Sequence, residues 1–201
     1  DSAPPVVMNN GRYVVIGGQN HGEMKFNTQE EGMVGMFSNH GNLSLHSEEL
    51  FMHNISNFAS IEVMNSSASI QALHNHNNAG LLLDGNKVMA INMTNEGDIL
   101  VKSGSMCILD IYMNYGTITI ESGAMCEVYL NVNEHTGAGT LNLPSSGVTV
   151  IQGKYMPPKH GAPLVEAFGK WTTGAVRAGK SRWVGDESIE HGACDMFRFN
   201  T

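Results

Sequence analysis

Residues 96–114 read EGDILVKSGSMCILDIYMN and residues 115–133 read YGTITIESGAMCEVYLNVN, and the two stretches align without a gap. Ile99, Val101, Gly104, Met106, Cys107, Leu109, Ile111 and Met113 fall on Ile118, Ile120, Gly123, Met125, Cys126, Val128, Leu130 and Val132, each nineteen residues later. Each copy holds a short alternating stretch, a Ser-Gly turn, a second alternating stretch and an Asn that opens the next turn. Alternation of period two turns one face of a strand inward. A strand of this length holds about three inward side chains, so one copy cannot bury its face alone and must stack on neighbours.

The same unit extends toward the N-terminus. Asn20-His21-Gly22 recurs as Asn39-His40-Gly41, and Asn95-Glu96-Gly97 as Asn114-Tyr115-Gly116. The recurring Asn reads as Asn20, Asn39, Asn57, Asn77, Asn95, Asn114 and Asn133, at steps of nineteen, eighteen, twenty, eighteen, nineteen and nineteen. Met24/Phe26, Leu43/Leu45, Ile61/Val63 and Leu81/Leu83 take the place of Ile99/Val101, and Gly85 that of Gly104. Residues 13–16 read as a partial opening coil, 134–139 as a bulged turn, and 148–151 as the last strand. The expectation is an all-β protein, a parallel β-helix of about seven coils that rise by one strand spacing, about 4.8 Å each. Stacked Asn amides would hydrogen-bond along the rod as a ladder. A left-handed β-helix would show three hexapeptides per coil, and leucine-rich repeats a helical side; neither pattern is visible.

Composition agrees. The chain has 201 residues, 41% hydrophobic and 15% charged, with 23 Gly and 20 Asn, the composition of a turn-rich domain with a real core. A formal charge of −8 argues against a nucleic-acid partner. No apolar run approaches the length of a membrane-spanning helix, so no membrane partner is expected. No basic segment leads into an apolar one, so no secretory signal is expected in the visible chain, and its opening at Asp1 without Met is compatible with removal of upstream residues. Three Cys do not make a disulfide framework, which favours assembly in a reducing cytoplasm.

The repeat stops near Met156, where Pro157-Pro158 cannot donate to a ladder. The chain therefore divides into an N-terminal arm (1–12), the solenoid (13–156) and a small mixed C-terminal cap (157–201). The cap holds six of the eleven Lys and Arg, with five acids, and leaves the solenoid five basic and fourteen acidic residues. A last coil exposes strand edges and needs covering. Lys170, Trp171, Arg177, Lys180, Arg182 and Trp183 form an acid-free stretch that would serve as a docking patch for an acidic partner or a glycan.

Catalysis on a β-helix would need paired carboxylates, or carboxylates holding Ca²⁺ beside a base. In phase, Asp84 aligns with Ser103 and Ser122, Asp110 with Tyr129, Glu127 with Ile108, and Lys102 with Glu121. No two carboxylates pair, so no catalytic residue, and no enzyme, is expected. His21 and His40 share a phase, and His74 and His76 flank Asn75, but without an evident carboxylate ligand these read as turn histidines; no metal and no cofactor are expected. Cys107 and Cys126 stack in phase with their Cβ atoms pointing the same way, which reads as two buried thiols. Met106, Met113 and Met125 read as inward core filler. Thr117 and Thr119 form the one Thr-x-Thr, too little for an ice-binding array.

The stretch GTITIESGAM at 116–125, followed by an alternating strand and Asn133, resembles repeats in β-helical surface proteins: bacteriophage tailspikes, virion decoration proteins and autotransporter adhesins. Polymer-forming bacterial cytoskeletal β-helices are similar in coil size but usually more uniformly aliphatic. The tailspike resemblance implies a non-enzymatic structural protein of a phage virion surface, assembled in the host cytoplasm. It further implies a homotrimer whose partners are itself, other virion proteins and host-surface glycan. A carbohydrate-binding or carbohydrate-cleaving receptor module, or an adhesin fragment, is the alternative.

Overall fold

The computed structural model describes residues 6–85, 87–131, 140–144, 147–153 and 195–198. Its strands alternate between two sheets. The shorter ones are β1 (Val6–Asn9), β3 (Glu23–Asn27), β5 (Asn42–His46), β7 (Ser60–Met64), β9 (Gly80–Asp84), β11 (Asp98–Val101), β13 (Thr117–Ile120) and β15 (Thr140–Asn142), stacked in that order. The longer ones are β2 (Tyr13–Asn20), β4 (Glu31–Asn39), β6 (Glu49–Asn57), β8 (Ser67–Asn75), β10 (Lys87–Asn95), β12 (Met106–Asn114), β14 (Met125–Asn131) and β16 (Val148–Gly153). They stack likewise, and a last strand, β17 (Asp195–Arg198), closes the second sheet. Pairing from β1 to β16 is parallel, so the chain is a parallel β-solenoid of about seven coils, with no helix among the described residues.

The register is the one the repeat dictates. Leu43/Leu45 lie over Ile61/Val63, then Leu81/Leu83, Ile99/Val101 and Ile118/Ile120, all buried. The facing sheet supplies Leu50/Met52, Ala68/Ile70, Val88/Ala90 and Leu109/Val128, so apolar columns from both sheets form one core along the rod. Burying a Leu or Ile side chain contributes about 1.5–3 kcal/mol, and only stacking makes that burial available to so short a strand.

Polar columns mark the corners. Asn20 donates its amide to Asn39 Oδ1 at 2.8 Å, Asn39 to Asn57 at 2.9 Å, Asn57 to Asn75 at 2.8 Å, Asn75 to Asn95 at 2.9 Å and Asn95 to Asn114 at 2.8 Å. All six are buried. The ladder member between Asn57 and Asn95 is thus Asn75; Asn77, expected there, sits exposed in the next turn. That turn is two residues longer than its neighbours, which is why counting alone misplaces the amide. Asn133 lies outside the described residues. A second corner stacks Ser47 and Ser66: the Ser47 amide donates to Ser66 Oγ at 3.0 Å, and Tyr13 shares a 2.8 Å bond with Ser47. Burial pushes the Tyr13 hydroxyl up to about 12, opposed by that bond.

Glycine serves the fold in two ways. Gly104 and Gly123 have φ of +86° and +91°, the left-handed turn that follows β11 and β13. Gly85 does not share that conformation, although it was aligned with Gly104. Gly41, Gly97 and Gly116 are needed for closeness: a Cβ there would strike the carbonyl oxygen of Gly22, Ala79 or Gly97 in the coil before.

Further differences from expectation have local causes. Residues 6–9, assigned to an arm, form β1 and pair with β3, so the solenoid begins earlier. Met106 and Met125 point outward, 38% and 58% exposed, because the inward phase belongs to Cys107/Leu109 and Cys126/Val128; Met113 is half-buried. Cys107 and Cys126 are joined in a disulfide, their Cα atoms 4.5 Å apart, within bridging range even for in-register neighbours. Finally, the long strands are bent. Met36, Asn54, Ala72 and Asn92 adopt left-handed φ near +50° to +55°, each dividing its strand into two legs. β12 has no such residue; its pairing with β10 shifts register there, and Asp110, at the shift, is buried.

Candidate functional site

In each coil the ladder Asn points inward and the next residue turns outward. The amide of that residue donates to the carbonyl of the previous ladder Asn: His40 to Asn20, Phe58 to Asn39, His76 to Asn57, Glu96 to Asn75 and Tyr115 to Asn95, at 2.7–2.8 Å. These bonds fix one outward column, His21, His40, Phe58, His76, Glu96, Tyr115. Its rings stack with centroids 4.8 Å apart from His21 to His40, 4.5 Å from His40 to Phe58 and 3.9 Å from Phe58 to His76. His74, two positions before His76 on the same outward side, stacks on it at 3.7 Å.

The column changes chemistry where Glu96 replaces a ring. His74 Nε2 lies 3.2 Å from Glu96 Oε1, both side chains 38% exposed. One nitrogen from each of His74 and His76 and one carboxylate oxygen of Glu96 lie within 4.8 Å of one another. His74 Nε2 itself is shielded from solvent and completes no hydrogen bond among the described residues. Burial, then the neighbouring His74, lowers the pKa of His76, against the pull of Glu96. The sequence reading paired the two histidines and missed the carboxylate. With Asn75 in the ladder, His76 and Glu96 both follow a ladder Asn and so become neighbours.

A second surface is the outer face of the larger sheet. Val14 pairs with Met33, Met33 with Phe51, Phe51 with Ser69, Ser69 with Met89 and Met89 with Ile108. Val14, Met33, Phe51 and Met89 are each at least 38% exposed, as are Met106 and Met125 beside them. Ser67 and Ser69 interrupt the bulk, and around them opens a groove of about 930 Å³ lined by Phe51, Lys87, Met89, Met106 and Met125.

Comparison of the chain with protein-family models, curated proteins and solved structures finds no match.

The remaining residues singled out in the sequence fall as follows. Lys102 and Glu121 form a 2.7 Å pair; Glu121 also accepts from the Ser103 amide, and the two side chains shift each other's pKa, Lys102 up and Glu121 down. Glu127 lies opposite Ile108 and accepts from the Tyr129 hydroxyl at 2.8 Å, while Asp110 lies opposite Tyr129. Burial raises Asp110 to about 7, and together with Glu127 it raises Tyr129. Asp110 Oδ2 has no hydrogen-bond partner among the described residues. His21 Nε2 bonds Gln19 Oε1 at 3.0 Å. Lys170, Trp171, Arg177, Lys180, Arg182 and Trp183 lie outside the described residues.

Proposed function

We propose that the chain is a non-enzymatic structural module of a bacteriophage virion surface, a rigid β-solenoid spacer standing beside copies of itself in a homotrimer. The observation that carries this reading is the apolar outer face of the larger sheet. Exposed Val14, Met33 and Phe51 follow one another down the rod in register, and Met89 resumes the column past Ser69, a stripe and not a scatter. Contiguous exposed apolar surface marks a place of association, and Met adapts to a facing surface at low cost. A stripe parallel to the rod axis suits rods packed side by side. The Cys107–Cys126 bond fits a protein that works outside a reducing cytoplasm, as on a virion surface.

On this reading the solenoid is the spacer and the stretch from Lys170 to Trp183 carries attachment to other virion proteins or to host glycan. The stacked His21, His40 and Phe58 column does not favour the carbohydrate-module alternative: its rings lie against one another, and the faces of His40 between His21 and Phe58 are not open to a sugar. Light scattering over a range of concentrations tests the assembly. A trimer that falls to monomer when Phe51 and Met89 are both changed to Lys supports the reading, and a strict monomer for the native chain overturns it. Reversing the charge at Arg177 and Arg182 should weaken partner capture while leaving the fold intact.

A further inference from the structure

We propose that His74, His76 and Glu96 form a binding site for a divalent transition-metal ion of the zinc type, within one chain and on the outside of the solenoid. Two imidazole nitrogens and one carboxylate oxygen are the donor set that zinc accepts in three-ligand sites, with a fourth position left for water. Their mutual distances, all within 4.8 Å, allow a single ion to reach all three after small side-chain rotations. His74 and His76 belong to β8 and the turn after it, and Glu96 to the turn after β10.

Two features make this a site rather than a surface coincidence. The first is anchoring. Asn75, between the two histidines, is fixed in the ladder by bonds to Asn57, Asn95 and Asp98, so the backbone under both rings is held on the core side. The His76 ring is further held by Phe58, stacked face to face at 3.9 Å. The second is orientation: His74 Nε2 is shielded from solvent, faces Glu96 Oε1 at 3.2 Å and completes no hydrogen bond among the described residues, so an ion between the two would satisfy both. Elsewhere in the column, His21 and His40 stack but join no such three-ligand group among the described residues, and His21 Nε2 already bonds Gln19.

The inference stands apart from the virion reading, since a monomer could bind the ion equally well. The test is equilibrium dialysis of the full, untagged chain, stripped with chelator, against Zn²⁺, with bound metal quantified. Visible absorption of Co²⁺ in place of Zn²⁺ supplies a second readout. The expected result is one ion per chain at this site and intense Co²⁺ bands of a low-coordinate nitrogen-oxygen site. Glu96→Gln and His74→Gln should each weaken binding by no less than the roughly 10–100-fold that even a ligand's outer partners are worth. His21→Gln should leave binding unchanged. Circular dichroism confirms that each variant keeps its β structure. Absence of binding by the native chain overturns the proposal, as does a Glu96→Gln/His74→Gln double variant that binds as the native chain does.

Discussion

Replacing Asn57 by Ala tests whether the ladder stabilises the rod or merely decorates it. The Asn57 amide donates to Asn75 Oδ1 at 2.8 Å and to the Gly80 carbonyl at 2.9 Å, and its Oδ1 accepts from Asn39 Nδ2 at 2.9 Å. Asn39 Nδ2 keeps bonds to Gly41 and Ser60 after the change, so that donor is only partly stranded. Asn75 Oδ1 and the Gly80 carbonyl each lose the amide, with Asn75 fully buried. An orphaned buried polar group costs about 1–3 kcal/mol, so two place the loss at about 2–6 kcal/mol. For a chain of this size that is a fall in Tm of about 10 °C. Asn77→Ala is the paired control: Asn77 is exposed, and a surface change of this kind stays within about 0.5 kcal/mol. Urea unfolding of both variants beside the native chain gives the comparison. Equal effects, or a loss below about 1 kcal/mol for Asn57→Ala, would refute the claim that the ladder amides stabilise the rod.

Asp110 makes the fold less stable as pH rises from acid to neutral. Its folded pKa is raised from 3.8 to about 7, so the native state binds the extra proton in that window and stability falls as pH rises through it. The full penalty is on the order of 4 kcal/mol above pH ~7, and Asp110→Asn should remove that slope in urea titrations at pH 5 and pH 8. Gly116→Ala drives a Cβ into the Gly97 carbonyl and should cost about 1–3 kcal/mol by thermal unfolding. Gly80→Ala meets open space at an ordinary φ and should cost far less. The Cys107–Cys126 bond spans 19 residues, and reducing it should lower stability by about 3 kcal/mol. Alkylation followed by mass spectrometry should label these two Cys only after reduction.

The fold was legible because inward positions of a solenoid repeat. Leu43/Leu45, Ile61/Val63, Leu81/Leu83, Ile99/Val101 and Ile118/Ile120 were placed in one column from spacing alone, and they pair in that register. Counting failed at Asn77 because the coil steps there are eighteen and twenty. The correct signal was chemical: each ladder Asn from Asn39 to Asn95 follows a buried apolar residue two positions earlier, Phe37, Ile55, Leu73 and Met93. Asn77 follows Asn75 and fails that rule. The outward methionines were misread because Met106 and Met125 adjoin the inward Cys107 and Cys126, and strict alternation allows only one of each pair inside. The disulfide was missed because parallel Cβ vectors were weighed above the short Cα separation that adjacent coils impose.

One two-residue slip therefore hid two things at once. Placing Asn77 in the ladder puts Asn78 beside Glu96 and leaves His74 and His76 out of the column; placing Asn75 there brings His76 directly before Glu96. In a stacked fold the inward columns are forced toward uniformity by packing, since each side chain must match the ones above and below. The outward columns carry no such constraint. A departure from uniformity there, such as a carboxylate set among four stacked rings, has no packing reason to exist, and a chemical reason becomes the economical explanation. That is why the repeat, read inward, identifies the architecture, and the same repeat, read outward for its exceptions, points to His74, His76 and Glu96.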